Sequence, residues 1–377
     1  MTTPLRDQSL GSEWTILELL ARGIVDDPER EMVRDLLLAD SLDWGELLEQ
    51  ALRHHMVPML AHHIVSAGLR FDLPMSIYQH LESALEWNRW QIEVFRREAV
   101  HVAQGLAGRG IHFVVTKGMA FESTLYGGLG TRHMKDIDFM IAPRDREAVL
   151  SVMQKLGFRP FFDWAKDPRR EEISSRLNPD HLPKLARAVD EPGTRTIMID
   201  VANSLTWTKS PFDVPVEEAL KDTVEQPVPG MPGVGLPCFR PMYQFLFTVL
   251  HLFREAWLQK FVDFGNDVSL MKFADVIRLI DRNRDALSDG ELLRTMEVHN
   301  VIHAVAWVLG QLDETFPTHT LQMLALEKHG DEALLASQMQ SSGYVRASGQ
   351  SMRERLQSKV RGSSRPVAPA HSDSHDE

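Results

Sequence analysis

The strongest constraint on the fold is a change of hydrophobic periodicity at Ile111, where a helical pattern gives way to strand-like runs. Three short runs rich in β-branched or aromatic residues follow, at 111–116, 136–142 and 196–201. Helical patterns occupy the chain before Ile111 and return after Pro241. We therefore predict an α+β fold, in which a small mixed sheet is flanked by N- and C-terminal helical modules.

Composition shifts along the chain suggest boundaries for these parts. The stretch PVPGMPGVGLP is rich in proline and glycine, which is typical of a linker. The last residues are rich in Ser, Arg, His, Pro and Asp and poor in apolar residues, which is typical of disorder. We predict an N-terminal helical module at 1–110, a sheet-bearing core at 111–226 with a polar insertion at 161–194, a linker at 227–237, a C-terminal helical module at 238–340 and a disordered tail at 341–377.

The overall charge limits the class of partner. A net charge of −12 and an isoelectric point near 5.7 give no sign of a large basic surface. Nucleic-acid binders usually carry such a surface, so a nucleic-acid partner is disfavoured, although a local basic groove stays possible. The single cysteine, Cys238, excludes a disulfide within the chain and a zinc site made of several cysteines. A small-molecule or protein partner fits the composition better.

Two further features concern location. The first residues are polar and lack the apolar core of a signal peptide. The most apolar stretch, 245–253, is too short to cross a bilayer. We therefore expect a cytoplasmic protein with no membrane partner.

The motif with the clearest chemistry is Asp136-Ile137-Asp138, which opens the second strand run. Residues two apart on a strand point to the same face, about 7 Å apart. Two carboxylates so close repel each other unless cations neutralise them. Such a pair can bind two Mg²⁺ ions about 3.5–4 Å apart, which suits in-line displacement at phosphorus. Since short motifs also occur by chance, a solvated strand end is the alternative interpretation.

The surroundings of this motif suggest an anion as the second ligand. The first strand run ends in Lys117-Gly118, and a helix follows. Glycine lets a backbone approach a phosphate closely, and a helix N-terminus favours anions. Lys117 adds a point charge, and Arg132 adds a forked donor for phosphate oxygens. Either cation could instead be a structural surface residue.

Asp200, in the middle of the third strand run, is the candidate for a third carboxylate. A strand interior is a costly place for an unpaired charge, so we expect a cation or a hydrogen-bond donor beside it. A purely structural pairing would satisfy the same requirement.

The segment KGMAFESTLYGGLGTRHMKDIDFMI, residues 117–141, resembles the uncharacterised nucleotidyltransferase family of the DNA polymerase β-like superfamily. The likeness extends to Gly157-Phe158, to His181-Leu182-Pro183 and to the strand that carries Asp200, and it covers about 300 residues. It implies a nucleotidyltransferase core with a small mixed sheet, magnesium as cofactor, and a nucleoside triphosphate, with ATP as the expected donor.

The resemblance also implies roles for single residues. Asp136 and Asp138 would bind the metal ions, Asp200 would be the third carboxylate and the general base for the acceptor, and Lys117 and Gly118 would contact the triphosphate. Two departures weaken the match. Met119 replaces a Ser or Gly that usually follows the glycine, and Ala202-Asn203 replace a His-Trp pair on the acceptor side.

The remaining histidines are predicted to be structural. The pairs His54-His55 and His62-His63, and also His251, lie in helical patterns among apolar residues, where adjacent positions do not share a face. Two other functions stay open: a degenerate nucleotidyltransferase fold that binds nucleotides or regulates a partner, and a toxin that modifies tRNA.

Overall fold

A computed structural model describes residues 11–161, 179–208, 210–263, 268–339 and 345–358. Within these ranges, seven strands form one mixed sheet. Its strands are β1 (Phe113–Thr116), β2 (Ile137–Ile141), β3 (Arg159–Pro160), β4 (Leu185–Glu191), β5 (Thr194–Ala202), β6 (Thr223–Pro227) and β7 (Gly235–Phe239). Their order across the sheet is β3-β4-β5-β2-β1-β7-β6. The predicted α+β class and the three sheet-forming runs are confirmed.

The centre of the sheet combines both strand directions. β2 runs antiparallel to β1 and parallel to β5, and β7 lies parallel to β1 on its other side. The whole of β1 is buried, and β5 buries alternate apolar residues such as Ile197 and Ile199. This burial explains why β-branched runs form the middle of the sheet.

The N-terminal helices are α1 (Ser12–Arg22), α2 (Asp27–Leu37), α3 (Trp44–Arg53), α4 (Val57–Ser66) and α5 (Met75–Ala107). Asp26 and Asp43 cap α2 and α3 through hydrogen bonds from backbone N–H groups. The 33-residue helix α5 is about 50 Å long and connects these helices to the sheet. Its Asn88 donates a hydrogen bond to the carbonyl of Gly130 (2.8 Å) and thereby holds the loop that leads into β2.

Two short helices accompany the sheet, α6 (Lys117–Thr124) and α7 (Arg146–Lys155), and α8 (Val216–Ala219) precedes β6. The C-terminal helices are α9 (Pro241–Trp257), α10 (Gln259–Asp263), α11 (Leu270–Arg282), α12 (Arg284–Leu287), α13 (Glu291–Val298), α14 (Ile302–Thr315), α15 (Thr320–Met323), α16 (Glu332–Leu335) and α17 (Met352–Gln357). None of the helices in the described ranges has the length and apolar character needed to cross a membrane.

The segment predicted to be a linker, 227–237, is instead the turn of a β-hairpin. β6 and β7 pair antiparallel around it, and Gly230 and Gly233 adopt positive φ angles of 76° and 77° to close the turn. Leu236 and Cys238 point inward and are buried. The glycines and prolines therefore shape a turn at the sheet edge.

Two other boundary predictions need correction. The predicted insertion contains β4, which pairs with β5 through residues Leu185 to Glu191. The predicted disordered tail contains β9 (Val345–Ala347), which pairs with β8 (Ser337–Met339), and α17. Met352 and Leu356 of α17 are buried, so a short amphipathic turn is enough to anchor this segment. Residues 162–178 and 359–377 lie outside the described residues.

His54 connects three parts of the chain. Its Nδ1 accepts a hydrogen bond from the backbone N–H of Leu270 (3.2 Å), and its Nε2 lies 3.1 Å from the carbonyl of Leu356. The ring also packs edge-on against Trp14. Nε2 therefore carries the proton, and the imidazole is neutral. Burial, with a smaller effect from Arg53, lowers the pKa of His54 to about 3. The predicted structural role of this histidine agrees with these contacts.

His54 should make stability depend on pH. Its pKa is lower in the folded chain than in the unfolded chain, so only the unfolded chain takes up a proton between about pH 6.5 and pH 3. The neutral His54 ring therefore contributes its full stability to the folded state above this pH window, and this contribution is lost as the pH falls. The free energy of unfolding is measured by urea denaturation at pH 6 and at pH 5. Over this pH unit, it should fall by about 1 kcal/mol less for His54→Gln than for the wild type. His80→Gln, at an exposed position of α5, is the control. If the free energy of unfolding fell equally with pH in the wild type and in His54→Gln, the prediction would be contradicted.

Candidate active site

The sheet brings the three predicted carboxylates together. Asp138 of β2 and Asp200 of β5 are direct neighbours in a parallel register, so their side chains emerge on the same face. Asp136 lies two residues before Asp138 and shares that face. All three side chains line one cavity of about 340 Å³.

Lysines neutralise the first two carboxylates. Nζ of Lys117 lies 2.7 Å from Oδ1 of Asp138, and Nζ of Lys184 lies 2.6 Å from Oδ2 of Asp136. Burial lowers the pKa of Lys117, but the charges of Asp138 and Asp200 outweigh this effect and raise it above its usual value. Burial also raises the pKa of Asp138 to about 6, against the opposing charge of Lys117. Lys184 was not predicted as a site residue.

A histidine accompanies the third carboxylate. Nδ1 of His181 lies 3.1 Å from Oδ1 of Asp200. Burial alone would raise the pKa of Asp200, but the hydrogen bond and charge of His181, aided by the two lysines, hold it well below its usual value. The expectation of a donor beside Asp200 is therefore met by a residue of the His181-Leu182-Pro183 motif.

The donor chemistry of this cluster fits magnesium, which prefers carboxylate oxygens. In the arrangement described here, however, each carboxylate already holds a cationic or donor side chain. Accordingly, no group of three or more His, Cys, Asp or Glu side chains in the described ranges is arranged around a common metal position. Each of these contacts is made through one oxygen of the carboxylate, so a metal ion would bind through the other oxygen or displace the side chain.

Gly118 is constrained by packing. A Cβ atom at this position would lie 2.4 Å from Nη1 of Arg132 and 2.6 Å from Sδ of Met134, so these side chains fit only against glycine. Gly118 is itself buried in the first turn of α6. Its contact with a nucleotide phosphate stays a prediction.

Arg132 lines the cavity, but its guanidinium group is bound to a carboxylate of the C-terminal module. Nε and Nη2 donate to Oδ1 and Oδ2 of Asp275 at 2.9 and 2.7 Å. The Tyr126 hydroxyl donates to Oδ1 of the same carboxylate (2.7 Å). Burial opposes ionisation, but Asp275 raises the pKa of Arg132 above its usual value. The predicted phosphate contact of Arg132 stays a prediction beside this structural role.

Helix α9 supplies a side of the cavity that sequence reasoning missed. Nδ1 of His251 lies 3.2 Å from Oε2 of Glu255, one turn later, and Nζ of Lys272 lies 2.9 Å from the same oxygen. Both His251 and Glu255 line the cavity with the aspartates. Their spacing of four residues in an otherwise apolar helix was the available signal, but such a pattern also fits a core histidine.

The N-terminal module also reaches the cavity. The rings of His55 and His133 stack with centroids 5.2 Å apart, and Nζ of Lys135 lies 3.4 Å from Nε2 of His55. Burial, aided by Lys135, lowers the pKa of His55 to about 3 and that of His133 to about 4. His55 was predicted to be structural, yet it lines the cavity. The tight turn after α3, in which His55 has a φ of 62°, places it there.

Comparison with known proteins agrees with this geometry. Residues 40–317 match the family described as uncharacterised nucleotidyltransferase. The chain belongs to this family, so it is a nucleotidyltransferase that uses a nucleotide substrate, as the resemblance of residues 117–141 predicted. No curated protein matches the chain.

The buried Arg132–Asp275 pair should be essential for stability. Replacement of Arg132 by methionine leaves Asp275, 6% exposed, without its bidentate partner. We expect Arg132→Met to lower the free energy of unfolding by about 3–5 kcal/mol. Arg284→Met is the matched control, because the Arg284–Asp281 pair is 58% exposed on both sides and should cost less than about 1 kcal/mol. Urea denaturation measures both variants, and a similar small loss for both would refute the structural role of Arg132.

Proposed function

We propose that this protein transfers a nucleoside monophosphate from a nucleoside triphosphate to a hydroxyl group of a small molecule or protein, with magnesium as cofactor. ATP is the expected donor. The observation that carries the proposal is the convergence of Asp136, Asp138 and Asp200 in one cavity, each in contact with a lysine or histidine side chain. Pyrophosphate is the leaving group.

Asp136, Asp138 and Asp200 would hold the magnesium ions. When bound, magnesium neutralises phosphate charge and stabilises the charge that develops on the attacking and leaving oxygens. Lys117 and Lys184 have flexible side chains of four methylene groups, so they can turn from the carboxylates to the phosphate oxygens. They then donate hydrogen bonds to the triphosphate and hold the α-phosphorus in place.

The charges of the cavity support joint binding of metal and nucleotide. Five cationic side chains line it, namely Lys117, Arg132, Lys135, Lys184 and Lys272. Five carboxylates balance them, those of Asp136, Asp138, Asp200, Glu255 and Asp275. Two Mg²⁺ ions add four positive charges, and a fully ionised triphosphate adds four negative ones. Only the Mg²⁺ ions and the triphosphate together leave the net charge of the cavity unchanged. Either ligand alone would leave an uncompensated charge in a partly buried site.

The first experiment tests this joint binding by thermal shift. ATP and Mg²⁺ together should stabilise the wild-type protein more than either alone, because a bound ligand stabilises the folded state. Asp138→Asn should fold normally, since the amide oxygen still accepts a hydrogen bond from Lys117. It should lose the stabilisation by Mg-ATP. Asp190→Asn, at an exposed position of β4, is the matched control and should respond as the wild type does. Undiminished stabilisation of Asp138→Asn would exclude Asp138 as a metal ligand.

The second experiment identifies the reaction. ATP labelled at either the α- or the γ-phosphorus is incubated with the protein, Mg²⁺ and a cell extract that supplies acceptors. We expect the α-label in a product and the γ-label in pyrophosphate. Transfer of the γ-label with release of ADP would make the protein a kinase and overturn the proposal. Binding without transfer would favour a degenerate module, and α-label in the RNA fraction would favour the tRNA-modifying alternative.

A further inference from the structure

We infer that His251, oriented by Glu255, is the catalytic residue that accepts the proton of the acceptor hydroxyl. This inference rests on the proposed nucleotidyl transfer and adds a residue that the nucleotidyltransferase motif does not contain. It follows from the position of the imidazole, from its contact with the Glu255 carboxylate and from its surroundings.

His251 lies in the same cavity as the carboxylates proposed to bind metal. The imidazole lines this cavity with Asp138 and Asp200, and its side chain is 25% exposed. The Phe247 ring contacts both His251 and Lys117. The His251 ring centroid lies 6.1 Å from that of Phe247, and Nζ of Lys117 lies 5.6 Å from the Phe247 centroid.

The contact between His251 and Glu255 decides which nitrogen can act. Nδ1 faces the Glu255 carboxylate, which only accepts, so Nδ1 carries the proton of the neutral ring. Nε2 is then the nitrogen with a free lone pair. Lys272 also binds Oε2 of Glu255 and fixes that carboxylate, so the ring is held by a carboxylate that is itself held in place. This is the arrangement of a base oriented by a third group.

The surroundings keep the ring neutral. Burial lowers the pKa of His251 to about 4; the charge of Lys117 adds to this effect, and Glu255 opposes it. At neutral pH, the ring is therefore uncharged, and the lone pair of Nε2 carries no proton. The imidazolium that forms is stabilised by the negative charge of Glu255 beside it.

The three aspartates of the cavity are committed elsewhere. Oδ1 of Asp200 accepts from His181, and the proposed metal ions take the remaining oxygens of the three aspartates. The resemblance assigns the proton to Asp200. A carboxylate that binds both a histidine and a metal ion, however, has little capacity left to accept a proton. His251 is the neutral acceptor on the side of the cavity formed by α9.

The transfer forms one bond to phosphorus and breaks another. The hydroxyl proton of the acceptor moves to Nε2 of His251 while its oxygen forms a bond to the α-phosphorus. The bond between the α-phosphorus and the bridging oxygen of the β-phosphate breaks, and pyrophosphate leaves with the electron pair. Nε2 later returns its proton to solvent.

The tautomer can be tested without any turnover. In protein labelled with ¹⁵N in histidine, the His251 signals are assigned by their loss in His251→Asn. At pH 7 we expect a neutral ring with the proton on Nδ1. A proton on Nε2, or an imidazolium, would overturn the inference even if the protein binds Mg-ATP and transfers the α-label.

The catalytic role is tested with the α-label transfer in the extract. We expect His251→Ala to lower the rate by about 10²–10⁴-fold without changing the ATP concentration at half-maximal rate, as loss of a general base does. Millimolar imidazole should restore part of the rate, which a merely structural defect would not allow. His80→Ala, at an exposed position of α5, is the control.

The outcomes separate the two proposals. If the wild type transfers no α-label, the proposed function fails and the inference fails with it. If the wild type transfers the label and His251→Ala does so equally fast, only the inference fails. A raised requirement for ATP with an unchanged maximal rate would make His251 a nucleotide contact and would also overturn it.

Discussion

The rest of the site depends on the repulsion between three carboxylates held on one face of a sheet. The parallel register of β2 and β5 makes Asp138 and Asp200 direct neighbours, and strand alternation adds Asp136. Such a cluster is unfavourable in a partly buried place unless positive groups surround it. The chain supplies those groups from two places, with Lys117 from α6 and both His181 and Lys184 from the segment before β4. The electrostatics of the cluster therefore determine which elements must meet there.

The same requirement explains why helical modules enclose the sheet. The Arg132–Asp275 pair joins the loop before β2 to α11, and the hydroxyl of Tyr126 completes the bonds of Asp275. Breaking such a pair leaves a buried charge, so the pair fixes the position of the C-terminal module against the core. His54 fixes the N-terminal module in a similar way through Leu270. The cavity is thus bounded by the sheet, by α9 and by the loop at His55, and none of these alone encloses it.

Much of the sheet could be predicted from sequence, because strand signals are local. The runs at β1, β2 and β5 and the shared face of Asp136 and Asp138 follow from periodicity and side-chain alternation alone. The hairpin β6–β7 was mistaken for a linker because glycine and proline signal a turn without saying whether strands flank it. Lys184 meets Asp136 because β4 pairs with β5 and β5 pairs with β2, and the register between β2 and β5, which lie far apart in the chain, leaves no local trace. His251 was predicted to be a structural residue. The apolar helical pattern around it is the same whether a histidine is buried in the core or lines a cavity.

Lys117 combines an unusual backbone conformation with a contact in the carboxylate cluster. A non-glycine residue at a φ of 46° costs on the order of 1 kcal/mol, and such strain persists only where the surroundings impose it. Here β1 must end and α6 must begin within one residue, while Gly118 lies flush against Arg132 and Met134. The resulting turn directs the Lys117 ammonium group onto Asp138. Where the resemblance leads one to expect a residue with a hydroxyl, Met119 offers none, so the proposed phosphate contact would have one donor fewer. Under the proposed function, the charge of Lys117 at the same turn would compensate for it.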